Sequence, residues 1–126
     1  MTVEETVYSA LSGAAGITAL VAANKIKPEG DWQALARPYI IHFPVTLETT
    51  HTHTGMANFK KWLYQISCFG DSYASAKAVA EAVKTAFQSY RSGGIVTQLT
   101  NERRMPFEFE TRVSQIVLEF DIFDML

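Results

Sequence analysis

The stretch Phe59-Lys-Lys-Trp62-Leu-Tyr64-Gln-Ile66-Ser-Cys68-Phe69-Gly70-Asp71-Ser72-Tyr73-Ala-Ser-Ala76-Lys77-Ala-Val79-Ala80-Glu81-Ala-Val83-Lys84-Thr-Ala-Phe87-Gln-Ser-Tyr90 changes its hydrophobic period midway. Up to Phe69 the apolar residues alternate, with Trp62, Tyr64, Ile66 and Cys68 on one side, as in a half-buried strand. After Gly70-Asp71-Ser72 the spacing becomes three and four. Ala76, Val79, Ala80, Val83, Phe87 and Tyr90 then form one stripe, with Lys77, Glu81 and Lys84 opposite. Asp71 or Ser72 supplies the cap of that helix. Glu81 follows Lys77 by one turn, the less favourable charge order. The alanines permit close approach to a sheet, so the stretch is a strand–helix packing unit. It contains no group of residues able to do chemistry.

Before it, Thr2 and Glu5 stand in capping-box positions, and Val3, Val7, Tyr8 and Leu11 recur at helical spacing. A helix is expected from Val3 to about Ser12, interrupted by Gly13 and Gly16. Ile17-Thr-Ala-Leu20-Val21 reads as a second short helix closed near Asn24. Ile26 begins a brief strand that Pro28-Glu-Gly30-Asp31 breaks. From Tyr39 the period is two: Tyr39, Ile41, Phe43, Val45 and Leu47 oppose Ile40, His42, Pro44, Thr46 and Glu48. Pro44 cannot donate to a ladder, so the strand is at an edge or bulges there. Glu48 to Asn58 is Thr-rich without apolar period and reads as an extended hairpin tip.

After the helix, Gly93-Gly94 is a turn, and Ile95 to Leu99 a strand running toward a polar turn at Asn101-Glu-Arg103-Arg104. Met105-Pro106 leads into Phe107 and Phe109. Val113 to Phe123 is the longest alternating run, with Ile116, Leu118, Phe120 and Ile122 facing one way. Strand links are mostly hairpins. The expected fold is α+β, a mostly antiparallel sheet of four to five strands with helices on one face. With no repeat, linker or low-complexity tract, residues 1–126 are expected to form a single domain.

A chain of 126 residues buries roughly two-thirds of its unfolded surface, enough for one core without bridges or metals. Cys68 is the only cysteine, which excludes an intrachain disulfide and suits a reducing compartment. A formal charge of -2 gives no general attraction to nucleic acid or an anionic membrane. No apolar run approaches the ~18 residues of a spanning helix, so the expectation is a soluble chain that is not exported. Charged residues make up 19% of the chain, below the roughly 25% usual for soluble domains, a shortage that favours surface covered by protein.

Reactive constellations are weak. His51 and His53 sit at i,i+2 on the hairpin, but a metal site needs further ligands and only hydroxyls and Glu48 are near in sequence. His42, on a strand's mixed face, reads as a structural imidazole. Cys68 lies among Tyr64 and Ile66, which raises a thiol pKa and makes it core rather than nucleophile. Glu108 and Glu110 share a face if extended, yet flanked by Phe107, Phe109 and Arg112 they read as a solvated face. Gly13-Ala-Ala-Gly16 lacks the Lys and Ser/Thr of a phosphate loop. Arg91, Arg103 and Arg104 have no surrounding basic field and suit ion pairs at a subunit boundary better than nucleic acid. No catalytic, cofactor-binding or metal-ligating residue is assigned, and no cofactor is expected.

One resemblance spans nearly the whole chain. Val7-Tyr8-Ser-Ala-Leu11, Ile17-Thr-Ala-Leu20-Val21, Ile26-Lys-Pro28, Arg37-Pro38-Tyr39-Ile40-Ile41, Gln65-Ile66-Ser-Cys68-Phe69 and Tyr73 to Val83 follow in an order that resembles the tail-completion proteins of long-tailed bacteriophages and prophages, also called tail terminators or tail-to-head joining proteins. The resemblance implies a small non-enzymatic subunit of the virion tail, made in the host bacterial cytoplasm. Such subunits commonly form a six-membered ring on the head-proximal end of the tail tube, where they stop its growth and meet the head connector. The implied partners are other copies, the tube protein and the connector. No membrane and no sequence-specific nucleic acid are implied, although DNA can pass through the ring. The hairpin with His51 and His53 has no match in the family's pattern. With the Arg103-Arg104 turn, it is the expected contact to neighbouring subunits or the connector. The competing readings are a connector or stopper subunit at the same junction, a monomeric module holding a small ligand between sheet and helices, and an enzyme using His51, His53 or the Glu108–Glu110 pair.

Overall fold

A computed structural model of the chain describes residues 3–21, 25–28, 38–52, 55–87, 90–92, 95–105 and 114–124. Within them the elements run α1 (Val3–Ser12), α2 (Ala15–Thr18), β1 (Ile26–Pro28), β2 (Tyr39–Thr52), β3 (Gly55–Gly70), α3 (Tyr73–Phe87), β4 (Arg91–Ser92), β5 (Ile95–Arg104) and β6 (Ser114–Asp124). The strands form one sheet in the order β1-β2-β3-β6-β5-β4. Every pairing is antiparallel except that of β1 with β2. The fold is the expected α+β arrangement. The five strands read from the sequence are β1, β2, β3, β5 and β6, and the two-residue β4 adds a short edge ladder to β5.

The register explains which residues form the core. Ile26, Ile40, Cys68 and Ile116 stand level across β1, β2, β3 and β6; Ile66 and Leu118 follow two positions on, then Tyr64 and Phe120. All are buried, together with Val7 and Leu11 of α1, Ile17 of α2, and Ala76, Val79, Ala80, Val83 and Phe87 of α3. The described helices therefore pack on one face of the sheet. The alanines of α3 let its axis approach β3 and β6, and Phe87 meets Phe120 edge to face at 5.1 Å. Tyr90 lies just beyond α3, its ring stacked on Phe87 at 5.5 Å.

Local chemistry sets the element ends. Ser72 caps α3: its Oγ accepts from the Ser75 N–H at 3.2 Å, and its carbonyl accepts from the Ala76 N–H at 3.0 Å. Gly70 ends β3 directly beneath that turn, where a Cβ would stand 2.6 Å from the Ala76 nitrogen. Only glycine allows so close an approach. Beyond Phe87, the Thr97 hydroxyl donates to the Phe87 carbonyl and the Thr97 N–H to the Tyr90 carbonyl, tying β5 to the end of the helix.

Both alternatives posed by Pro44 are realised. The ladder shifts register between Pro44 and Thr46, leaving Val45 as the extra residue of a bulge, and β1 pairs with β2 only as far as His42. The hairpin is also extended as expected: β2 and β3 stay paired out to Thr52 and Gly55. Among the described residues β6 pairs with β3 only as far as Lys60, and beyond it β2 and β3 continue as a two-stranded arm.

One element differs. Asn101 to Arg104, expected as a polar turn, is the second half of β5, paired with β6 through Arg104 and Ile116. Polarity misled because these side chains bond within the subunit. A bulge between Leu99 and Asn101 lets the Thr100 hydroxyl donate to the Glu119 carbonyl at 2.9 Å. Glu102 then faces α3 and pairs with Lys77 and Lys84. The readings at Thr2, Asn24, His53, Gly93-Gly94, Phe107, Glu108, Phe109 and Glu110 lie outside the described residues.

Candidate assembly surface

The groups with chemical potential are sealed beneath the helices. His42 is 1% exposed, and its Nδ1 lies 2.7 Å from the Tyr64 hydroxyl. Its Nε2 has no hydrogen-bond partner among the described residues. Burial lowers its pKa from 6.5 to about 4, because a charged imidazole would lose its hydration there. The ring is neutral at physiological pH, and its burial keeps it from acting on a solvent-borne substrate. Cys68 is fully buried, and burial, with a smaller contribution from the Glu102 charge, pushes its thiol well above the ordinary range. It is a core side chain.

The opposite face of the same strands is different. Tyr39, Ile41 and Phe43 of β2, Gln65, Ser67 and Phe69 of β3, and Gln115 of β6 line a shallow depression of about 210 Å³. Tyr39 stacks on Phe69 at 4.6 Å, and the Gln65 side-chain amide donates to the Ser67 hydroxyl at 3.1 Å. Among the described residues, no ionisable carboxylate, amine or imidazole lines it. Toward its sides stand charged pairs, Lys61 with Asp121 at 3.7 Å and Arg103 with Glu119 at 3.4 Å. Aromatic and amide groups flanked by charged pairs are the composition that protein contact surfaces favour. The depression is also smaller than the roughly 300 Å³ at which small-molecule pockets begin.

The residues expected to touch partners are not gathered together. The ladder places His51 opposite Met56 near the tip of the arm. Arg103 and Arg104 stand at the other end of the sheet, level with Ile41 and Ile40 through β6 and β3. Roughly 30 Å of extended strand separates the two regions. Strand alternation also splits the arginines. Arg103, half exposed, lies on the face away from the described helices, whereas the Arg104 guanidinium sits 4.2 Å from the Tyr73 ring centroid at the start of α3.

Two features escaped the sequence. One is the cross-linked flank of α3, where Lys77 reaches Glu81 and Glu102 at 3.0 Å and Lys84 reaches the same two carboxylates at 2.9 and 2.7 Å. Hydrogen bonds from Lys84, then Lys77, hold both carboxylates below their ordinary range. Only the helical spacing of Lys77, Glu81 and Lys84 signalled it, since Glu102 is distant in sequence. The other is the face lined by Tyr39, Ile41 and Phe43, whose alternation was legible while the absence of any described helix over it was not.

Comparison with known proteins gives these surfaces a context. A solved structure described as the virion of a native gene transfer agent particle contains a chain that superposes with a TM-score of 0.74 at 22% identity, covering 93% of this chain and 90% of that one. That likeness establishes a shared fold. No curated protein matches. The family described as Tail completion protein gp17 matches residues 5–123, a span that runs from within α1 to within β6 and takes in every element between them. The burial of His42 and Cys68 is in keeping with that description, and the chain belongs to this family of structural phage-tail proteins.

Proposed function

We infer that the protein is a ring-forming tail terminator. Copies of it assemble on the head-proximal end of a tail tube, end its growth and present the surface to which the head connector joins. The observation that carries this reading is family membership over residues 5–123. Its partners are other copies, most simply in a six-membered ring, the tube protein and the connector, and the ring leaves a lumen for DNA. It acts in the virion tail after synthesis in the host cytoplasm, and it performs no catalysis. In support, the solved relative comes from a virion. The two-stranded arm ending at Thr52 and Gly55 also favours assembly, since an isolated hairpin is marginal in water and gains from being covered. The arm around His51 and His53 contacts a neighbouring subunit or the connector, and Arg103 and Arg104 contact a partner at the opposite end.

The test is electron microscopy of the purified chain with mass measured over a range of concentrations, together with addition to purified tail tubes. Rings, or discs that cap tubes and arrest their growth, are expected. Tubes that elongate unchanged in its presence would overturn the reading. Removing Thr50 to Gly55 is expected to leave a folded monomer and weaken assembly; undiminished rings would show that the arm is not a contact.

A further inference from the structure

We propose that neighbouring copies join through their sheet edges, the outer edge of β5 over Gln98–Arg104 pairing antiparallel with the outer edge of β2 over Thr46–Thr52 of the next copy. This rests on the self-assembly inferred above and specifies its interface. Each sheet edge is only partly occupied. β1 pairs with β2 at Ile40 to His42, and β4 pairs with β5 at Ile95 and Val96, with the Thr97 N–H bound to Tyr90. Beyond those points no described strand lies outside β2 or β5. Long unpaired edges are templates for pairing, and proteins that must stay monomeric blunt them with lysine, proline or bulges. After Pro44 and the Val45 bulge, the β2 edge reads Thr46-Leu-Glu-Thr-Thr-His-Thr, rich in strand-favouring threonine and free of lysine and proline; its one further register shift, between Thr49 and His51, has a counterpart between Leu99 and Asn101 on the β5 edge. The charges of the β5 edge are engaged within the subunit: Glu102 with the α3 lysines, Arg103 with Glu119, and Arg104 over Tyr73.

Direction and register agree with the pairing. β2 and β5 run oppositely, since β2 and β6 are both antiparallel to β3 and β5 is antiparallel to β6. A next copy with the same strand direction therefore continues the sheet in the antiparallel sense used inside the subunit. One register satisfies two independent pairings. Setting position 48 opposite Arg103, both on the face away from the described helices, joins opposite charges. The same register brings Thr46 opposite Met105, so that Val45 and Met105, exposed by 44% and 37%, meet.

This register also has the geometry of closure. Arg103 is level with Ile41, and Glu48 is six paired positions further along β2. Each copy is thus displaced by roughly 20 Å along the strands. The repeating unit β2-β3-β6-β5 is roughly 19 Å wide at ~4.8 Å per strand, giving a strand tilt of about 45°, at the upper end of the range in which sheets close into barrels. At that displacement β1 and β4 fall past the ends of the described neighbouring strands. The contact is head to tail, as ring closure requires.

The test is a double-cysteine variant, Glu48→Cys with Arg103→Cys, oxidised mildly in the assembled state; Cys68 is buried and stays in place. A ladder of covalent oligomers is expected on non-reducing gels, with neither single variant producing one. In the unmodified chain, amide exchange at 46–52 and 98–104 should slow at least tenfold on assembly. Rings that form without that ladder, and whose protection falls on the helices or the opposite sheet face, overturn the edge contact and leave ring formation standing. Failure to self-associate, alone or on tubes, overturns both.

Discussion

On its helix side the sheet presents Ile40, Ile66, Leu118 and Phe120, all fully buried, whereas its other side presents Tyr39, Phe43 and Phe69 around an open depression. On β3 and β6 the second side also carries Gln65, Ser67, Gln115, Glu119 and Asp121, so alternation there marks the core side, but on β2 that side carries Tyr39, Ile41 and Phe43. In β2 alternation alone cannot distinguish the faces, because it divides a strand into two sides without saying which one a helix will cover. The difference arises from α1, α2 and α3, whose apolar stripes all close on one parity. Phe87 and Phe120 on the first face accordingly fill the core, whereas Tyr39, Phe43 and Phe69 on the second are only half-buried.

The sharpest way to break this comparison is at Phe120, which packs against Phe87 in the sealed layer. Phe120→Ala is expected to cost about 3–5 kcal/mol, the range for emptying an aromatic site that cannot collapse. Urea denaturation monitored by circular dichroism checks it. A cost near 1 kcal/mol would mean that the helices do not seal this layer.

The second test exploits the charge His42 cannot carry. Its pKa of about 4 in the fold lies below its ordinary 6.5, so between those values the unfolded chain binds the extra proton. Stability is therefore complete above about pH 6.5 and falls as pH drops toward 4, by about 3 kcal/mol in all. Glu81 and Glu102 act lower. Their values are depressed below 4.5, so their contribution is present above that pH and lost as pH falls through the lowered values. Denaturation midpoints from pH 7 to 4 read the His42 window, and His42→Leu should flatten it. An unchanged slope in that variant would place the titration elsewhere.

Gly70 tests how closely α3 rests on the sheet. Adding a methyl group 2.6 Å from the Ala76 nitrogen forces the first turn of the helix away, at a cost of about 1–3 kcal/mol by analogy with overpacked cores. The loss should appear in the Gly70→Ala melting curve without a change of fold. A neutral result would show that the helix start moves freely.

These contrasts also mark how much was legible in advance. Ile116 to Ile122 and Ala76 to Phe87 declared strand and helix because each has one dominant period, and Pro44 announced a bulge because its chemistry permits little else. The order of such segments was enough to suggest the family. Asn101 to Arg104 misled, since a strand whose polar side chains are satisfied by Lys77, Lys84, Tyr73 and Glu119 looks like a turn until those partners are in place. The parallel pairing of β1 was illegible for another reason: three residues, Ile26 to Pro28, carry no pattern. The contact regions were the least legible part. Residue type marked His51 and Arg103 as contacts to neighbouring subunits or the connector, but only strand register shows that they stand at opposite ends of the sheet.

The smallest expected effect on stability completes the comparison. Phe43 is half-buried beside the open depression, so Phe43→Ala removes part of an aromatic surface that water already reaches. The monomer should lose about 1 kcal/mol, far less than Phe120→Ala, while assembly should weaken if this face meets a partner. Measuring the two losses separately, by denaturation at low concentration and by sedimentation at high concentration, distinguishes a contact face from a concealed core. Loss of fold comparable to that of Phe120→Ala would show that both faces belong to the core. Unchanged stability and unchanged assembly together would leave the sheet edges and the arm as the sole adhesive parts of the subunit.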